Sequence, residues 1–221
     1  MLSLNQLLKR ISKELKEKEA KRQRTQQDMR KAISLSKQAI LAIHQKRPSN
    51  AEQLIKKAEN VMSGLDRDSN TYPEIVYCSM FNAARQEYAE ANIFLKLTQD
   101  SKLITPAEIN SPPIDYILGL ADVIGEYRRL ALDSLREGDL KKGERSLQIM
   151  DDIYTELMGL EEAYLLVPGL RRKCDIARRV IEATRGDITQ EARRNSLEKS
   201  LRLLETIIRR RRPTKTSKSE R

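Results

Sequence analysis

The chain has 221 residues, enough for one domain with a sizeable core, and its 42 Lys and Arg against 32 Asp and Glu give a formal net charge of +10. Aromatic residues are only 4%, with no Trp, eight Gly and seven Pro, which excludes a sandwich or barrel of aromatic strands and frequent turns. No apolar run reaches the roughly 18 residues of a spanning helix, and Met1-Leu2-Ser3-Leu4 leads straight into Lys9-Arg10 without the apolar stretch of a signal peptide.

Helical periodicity governs nearly the whole chain. Leu4, Leu7, Leu8, Ile11 and Leu15 recur at helix spacing, and the pattern resumes at Ile33, Ile40, Leu41 and Ile43. Nothing between them breaks a helix, so one long helix is expected to end near Arg47-Pro48. At 1.5 Å per residue it would extend roughly 65 Å, too far for a small bundle to cover, so part of it should lie along a partner chain or a ligand. Ser49 with Glu52 forms a capping-box pattern for a second helix ending near Gly64. Pro73 suits the first turn of a third, running to about Leu97. Thr105-Pro106-Ala107-Glu108 resembles another capped start, closed within two turns by Pro112-Pro113. A fourth helix spans Ile114 to about Glu137, Gly138-Asp139 reads as stop and N-cap, and a fifth extends to about Glu162. Pro168 starts a sixth that ends at Gly186, and Asp187 or Thr189 caps a seventh that frays in Arg209-Arg210-Arg211-Arg212-Pro213. The expected architecture is a single all-α domain over residues 1–212, a bundle of about seven helices with a long N-terminal one. A disordered basic tail over 213–221 follows it.

The charge is unevenly placed. Residues 1–47 hold 13 basic and 4 acidic side chains and residues 209–221 hold 7 and 1, so the segment between them is net −5. Basic ends suit a phosphate backbone, since each neutralised phosphate releases counterions, although Lys21, Arg22, Arg24, Arg30 and Lys31 also fit the solvated face of a long helix. Scarce aromatics argue against base stacking as the main binding mode. Lys16 to Lys31 has almost no apolar face to insert in a membrane, so no membrane partner is expected. Cys78 and Cys174, far apart and without flanking His or Cys, form neither a disulfide framework nor a zinc site and suggest a reducing, cytoplasmic setting. The single His44 has no Ser or Cys partner and reads as a packing or exposed histidine rather than a catalytic base. Gly138 and Gly143 lack the spacing of a phosphate-cradling loop.

The carboxylates carry more information. Ala83, Glu87, Glu90 and Phe94 share one helix face, so two acids interrupt a row bounded by small and apolar residues. Asp115, Gly119, Asp122 and Glu126 form a second row, in which Gly119 would let another backbone or a ligand approach. Two helices offering inward acids fit a bundle metal site, and hard oxygen donors without His favour Mg2+, with Mn2+ as the alternative. The structural alternative is pairing of Glu87 with Arg85 or a neighbouring helix, and of Glu126 with Arg129 or lysines across an interface.

Gln86-Glu87-Tyr88-Ala89-Glu90-Ala91, followed by Ile114-Asp115-Tyr116-Ile117-Leu118-Gly119-Leu120-Ala121-Asp122 and Gly125-Glu126, resembles the translin family, most closely its translin-associated factor X branch. Ser134 through Gly138-Asp139, and Tyr164 to Asp175 with Arg185-Gly186, are similar to the family's later helices, so the resemblance spans roughly residues 30–190. It implies an all-α subunit in a closed octameric shell, here a homo-octamer, and Mg2+-dependent endoribonuclease action on single-stranded RNA, with DNA as a further ligand. By the same resemblance Glu87, Glu90 and Asp122 are the catalytic and metal-holding acids, and Glu126 is a fourth ligand or water-positioning residue. The pure translin branch implies the alternative, a non-catalytic single-strand RNA- and DNA-binding protein. The family's basic and aromatic segment before the third helix is replaced by Tyr72-Pro73-Glu74-Ile75. The candidate nucleic-acid contacts Lys21, Arg22, Arg24, Arg85, Arg128 and Arg129 therefore rest on charge and position alone. A helical scaffold for protein partners is a third reading.

Overall fold

The structure, a computed structural model, describes residues 3–160 and 163–211. Ser3 opens α1 (Leu4–His44) with a reciprocal capping box: its hydroxyl accepts from the Gln6 amide at 3.3 Å and the Gln6 side chain accepts from the Ser3 amide at 3.1 Å. The first half of α1 is exposed. Burial begins at Thr25 and continues through Met29, Ala32, Ser36, Ala39, Ile40 and Ile43, a three-and-four spacing that lays one face on the core. Only the second half of α1 belongs to the bundle.

The next helix, α2 (Pro48–Thr71), begins with Pro48 in its first turn, and the Ser49–Glu52 box does not cap it. It passes Gly64 because Met62, Leu65 and Ser69 keep the buried stripe going. The third predicted helix is two. A single turn, α3 (Pro73–Val76), is followed by extended backbone at Tyr77 and Cys78 and then α4 (Ser79–Asp100). In an unbroken helix Val76 and Phe81 would point about 140° apart. The break lets both be fully buried.

Thr105 and Glu108 do form their box, the Glu108 carboxylate accepting from the Thr105 amide and hydroxyl at 2.6 Å, but Pro112-Pro113 confines it to a turn. Then comes α5 (Pro113–Arg136). Gly138, at φ +79°, reverses the chain, and the Asp139 carboxylate accepts from the Lys142 amide at 3.0 Å to start α6 (Leu140–Met158). A turn, α7 (Ala163–Leu166), and Gly169 at φ +92° lead into α8 (Leu170–Arg211). This last helix replaces the two expected on either side of Gly186. A glycine inside a helix costs about 1 kcal/mol, but Ile181, Thr184 and Ile188 carry the buried face across it. The expected tail, 213–221, lies outside the described residues.

The fold is thus all-α, with eight helices among the described residues, two of them single turns. Packed against α1 are α2 and α4; α4 crosses α5, and α5 lies on both α6 and α8. Phe81, Ile93, Phe94, Ile124, Met150, Leu157 and Leu170 fill the centre. Among the described residues no helix is long and apolar enough to cross a membrane.

Candidate active site at the α4–α5 crossing

A Cβ on Gly119 would stand 2.9 Å from both the Gln86 carbonyl oxygen and the Glu90 amide nitrogen, and 3.0 Å from the Ala89 Cβ. Gly119 is therefore where the α4 backbone rests on α5, the backbone rather than the ligand of the two expected occupants. The close approach puts the Glu87–Glu90 pair of α4 beside the Asp122–Glu126 pair of α5.

Glu90 lies at the centre, 7% exposed. Burial first, then the negative charges of Asp122, Glu87 and Glu126, push its carboxyl up to about 9, with Lys173 acting in the opposite direction. At neutral pH it holds a proton. The charges of Glu87, Asp122 and Glu126 all reach Glu90, so the sequence-predicted acids share one neighbourhood.

Three of the four have a basic partner, each from a distant part of the chain. Glu87 Oε1 is 3.1 Å from Lys37 Nζ on α1. Asp122 Oδ2 is hydrogen-bonded to Lys173 Nζ on α8. Glu126 Oε2 lies 2.5 Å from Nε2 of His44, whose side chain is 3% exposed at the end of α1. Glu87 thus pairs with a neighbouring helix rather than Arg85, and Glu126 with His44 rather than Arg129. The His44 ring is set by Phe94, 5.1 Å away, which meets Tyr127 edge-on at 5.7 Å. Glu90 alone of the four has no ion-pair partner among the described residues. Asp115, in the same row as Asp122, stands apart from this group: it is buried, and its nearest cation is Arg85 at 3.9 Å.

Four carboxylates offer the hard oxygen donors that suit Mg2+ or Mn2+, and Glu90 is an acid held neutral by burial and by the negative field of its neighbours, a field that a divalent cation would offset. As the side chains stand, no three His, Cys, Asp or Glu among the described residues converge as ligands of one ion. Glu87, Asp122 and Glu126 are engaged with their lysines and histidine instead. The donor chemistry fits the ion; closing on it requires those three acids to exchange partners.

The six basic candidates separate into two kinds. Arg85 donates to Asp66 at 2.7 Å and stacks its guanidinium 4.1 Å over Phe81, while Arg128 donates to the Thr184 hydroxyl and the Val180 carbonyl and pairs with Asp187, tying α5 to α8. Lys21 pairs with Asp68 at 2.6 Å, and Arg22 makes a two-pronged contact with Glu19 in open solvent. Arg24 and Arg129 are exposed and have no ion pair among the described residues. What the sequence did not disclose is the set of basic side chains around the acids. Lys37, His44 and Lys173 stand 50, 82 and 51 residues from their partners, and no local spacing signals such pairs.

The family model described as "Translin family" matches residues 3–183. An uncharacterized protein of Methanocaldococcus jannaschii is 40% identical over 119 residues, which is 53% of this chain, and the chain spans about half (52%) of that relative's own length. Among solved structures, AfC3PO in complex with duplex RNA is 34% identical with a TM-score of 0.72, covering 84% of this chain and 96% of that one. AfC3PO crystallised by itself gives the same identity and coverage at a TM-score of 0.69. Apo-NeC3PO, at 22% identity and a TM-score of 0.75 over 86% of this chain and 98% of its own, shares the fold.

Proposed function

The chain belongs to the translin family, and from that premise we propose that it is a Mg2+-dependent endoribonuclease of the translin-associated factor X type, cutting single-stranded RNA inside an oligomeric shell. The observation that carries this reading is Glu90, a carboxyl buried among three other acids without a cation of its own. A carboxyl held neutral by burial and by three neighbouring acids is strongly perturbed, and such groups cluster at functional sites. Glu87, Glu90 and Asp122 would hold Mg2+, or Mn2+ in its place, with Glu126 as fourth ligand or as the group that orients water. When bound, the ion supplies a water of lowered pKa and stabilises charge developing on the phosphodiester. His44 fixes the direction of the Glu126 carboxylate, and Phe94 fixes His44.

An assembly is supported by what the bundle leaves uncovered. Leu4, Leu8, Ile11 and Leu15 on α1, and Leu197, Leu201, Leu204 and Ile208 on α8, are exposed and repeat at the four-three-four spacing of a helix–helix seam. Second copies of the chain are the proposed occupants, with a homo-octamer as the proposed number. The net-basic ends would draw in RNA, and DNA as a second ligand, by counterion release. The neighbour AfC3PO holds a duplex, so single- and double-stranded RNA should be offered side by side.

The deciding experiment is cleavage of end-labelled single-stranded RNA with Mg2+ by the wild type and by Glu90→Gln. A loss of about a hundredfold or more is expected; equal cleavage overturns the reading. The engagement of Glu87 and Asp122 with lysines and of Glu126 with His44 favours the alternative of a non-catalytic single-strand binder. It predicts salt-dependent RNA binding that survives EDTA, and no products on prolonged incubation. Absence of RNA affinity even at low salt would point to a scaffold for protein partners.

A further inference from the structure

Lys173 occupies an unfavourable place for a lysine. It lies in the first turn of α8, where the helix dipole disfavours positive charge, and its backbone amide donates to the Gly169 carbonyl at 3.1 Å. The turn is fixed in position by Gly169, at φ +92°, and by Leu170, which is fully buried. What offsets the dipole is Asp122, to which the ammonium is hydrogen-bonded, and beyond it Glu90, whose carboxyl the same charge stabilises in ionised form. The three basic side chains around the acids differ in freedom. His44 is enclosed and its ring is packed on Phe94, so it is the least free of the three to leave its acid. Lys37 is 62% exposed, a solvated partner whose pairing is worth little. Lys173 is between them, a quarter exposed, with a flexible four-carbon stem that joins the acid group to its solvent side.

We propose that Lys173 is a specificity-determining residue that stands on Asp122 in place of a divalent cation and passes to the substrate when that cation binds. A metal ion and an ammonium compete for the same Asp122 oxygen. Once the carboxylate is taken by the ion, the ammonium is released on its stem and donates to a non-bridging oxygen of the RNA phosphodiester presented to the acids. Loading of the metal and capture of a phosphate then become one exchange: the lysine is unavailable to RNA until the metal has replaced it. No bond is made or broken in this exchange, only one ion pair for another. The inference rests on the metal-dependent reading of the acid group.

The test uses Mn2+ as the probe, titrated calorimetrically into the full-length protein without RNA, and then steady-state cleavage of single-stranded RNA at saturating Mn2+. Lys173→Gln removes the competitor and should bind Mn2+ about five- to tenfold more tightly, while its KM for RNA rises by about fivefold with a smaller change in kcat. Lys173→Arg retains the charge and should restore both toward the wild type. A merely structural lysine would weaken both properties together, so movement in opposite directions is the signature. Unchanged or weaker Mn2+ binding by Lys173→Gln overturns the inference, as does an unchanged KM. If Mn2+ binding to the wild type is absent, or is indifferent to Glu90→Gln, the metal-dependent reading falls and this inference with it. If that binding depends on Glu90 and not on Lys173, only the role of Lys173 falls.

Discussion

The crossing of α4 and α5 and the free ends of α1 and α8 solve opposite problems with the same residue types. At the crossing, Glu90 is buried without an ion pair among the described residues. The half-buried Glu87, Glu126 and Asp122 are each paired with a basic side chain from another helix. At the ends, charge is solvated and leucines face outward. From Leu4 to Arg24 there are eight basic and three acidic residues, and residues 196–210 are exposed throughout. The contrast shows that charge density is a poor locator of chemistry. The most charged parts of the chain hold their charges in water, where they can steer a polyanion. The acid of the site with a raised carboxyl, Glu90, lies where the chain is least polar. On the proposed function each region would be completed by something different, the ends by more protein and the crossing by an ion.

If the ends are seams between copies, Leu8→Ser, Ile11→Ser and Leu15→Ser together should weaken association by about a hundredfold or more, since each buried side chain contributes roughly 1.5–3 kcal/mol. Analytical ultracentrifugation would show the fall in mass, and circular dichroism an unchanged helix content. A fall in unfolding stability of the separated subunit would break the contrast. Conversely, Gly119→Ala forces a methyl against the α4 backbone and should cost about 2 kcal/mol, with cleavage lost. Urea unfolding and sedimentation would separate this from any change in assembly, which is not expected.

Glu90 yields a prediction about pH. Its unfolded-state value is near 4.5 and its folded value about 9, so between these limits the folded chain binds a proton that the unfolded chain has released. Stability in EDTA should therefore decline as pH rises through this window. Glu90→Gln, which mimics the protonated acid, should flatten that decline and exceed the wild type at pH 8 by about 1–2 kcal/mol. Thermal melts across pH 5–9 check it, and a wild type that grows more stable toward pH 9 relative to Glu90→Gln would contradict it.

The smallest expected effects sharpen the contrast within the basic residues. Arg24→Ala and Arg129→Ala should each lower RNA affinity only a few-fold and reduce the salt slope by about 0.7 per lost phosphate contact. Arg85→Ala and Arg128→Ala should instead lower stability, because those guanidiniums hold Asp66 and Thr184. Salt-titrated RNA binding and urea unfolding on all four variants distinguish the two kinds.

Local signals read well where the cause is local. The expected fourth helix, Ile114 to Glu137, differs from α5 by one residue at each end, because Pro113 starts it and the Gly138 reversal follows it. Gly64 and Gly186 misled because a helix stops at a glycine only when packing does not carry it onward, and here Leu65 and Ile188 do. The break at Tyr77-Cys78 has no proline or glycine to announce it; it follows from the need to bury Val76 and Phe81 together. Within the site, the acids were legible because helical spacing puts them on one face. Lys37, His44 and Lys173 were not, because only the packing of α1 and α8 on the crossing brings them there.

Those two helices share a further property. Each bears, at one extremity, a basic side chain that holds an acid of the crossing, and at the other an apolar stripe facing outward. On α1 the stripe includes Ile11 and the basic side chain is His44; on α8 they are Leu204 and Lys173. At 1.5 Å per residue the two features are roughly 45–50 Å apart on each unbroken rod. If copies meet at those stripes, the acid group lies at the far end of each rod. A small tilt imposed where copies meet would then shift His44 and Lys173 against Glu126 and Asp122, and the geometry of assembly would be an input to the proposed chemistry.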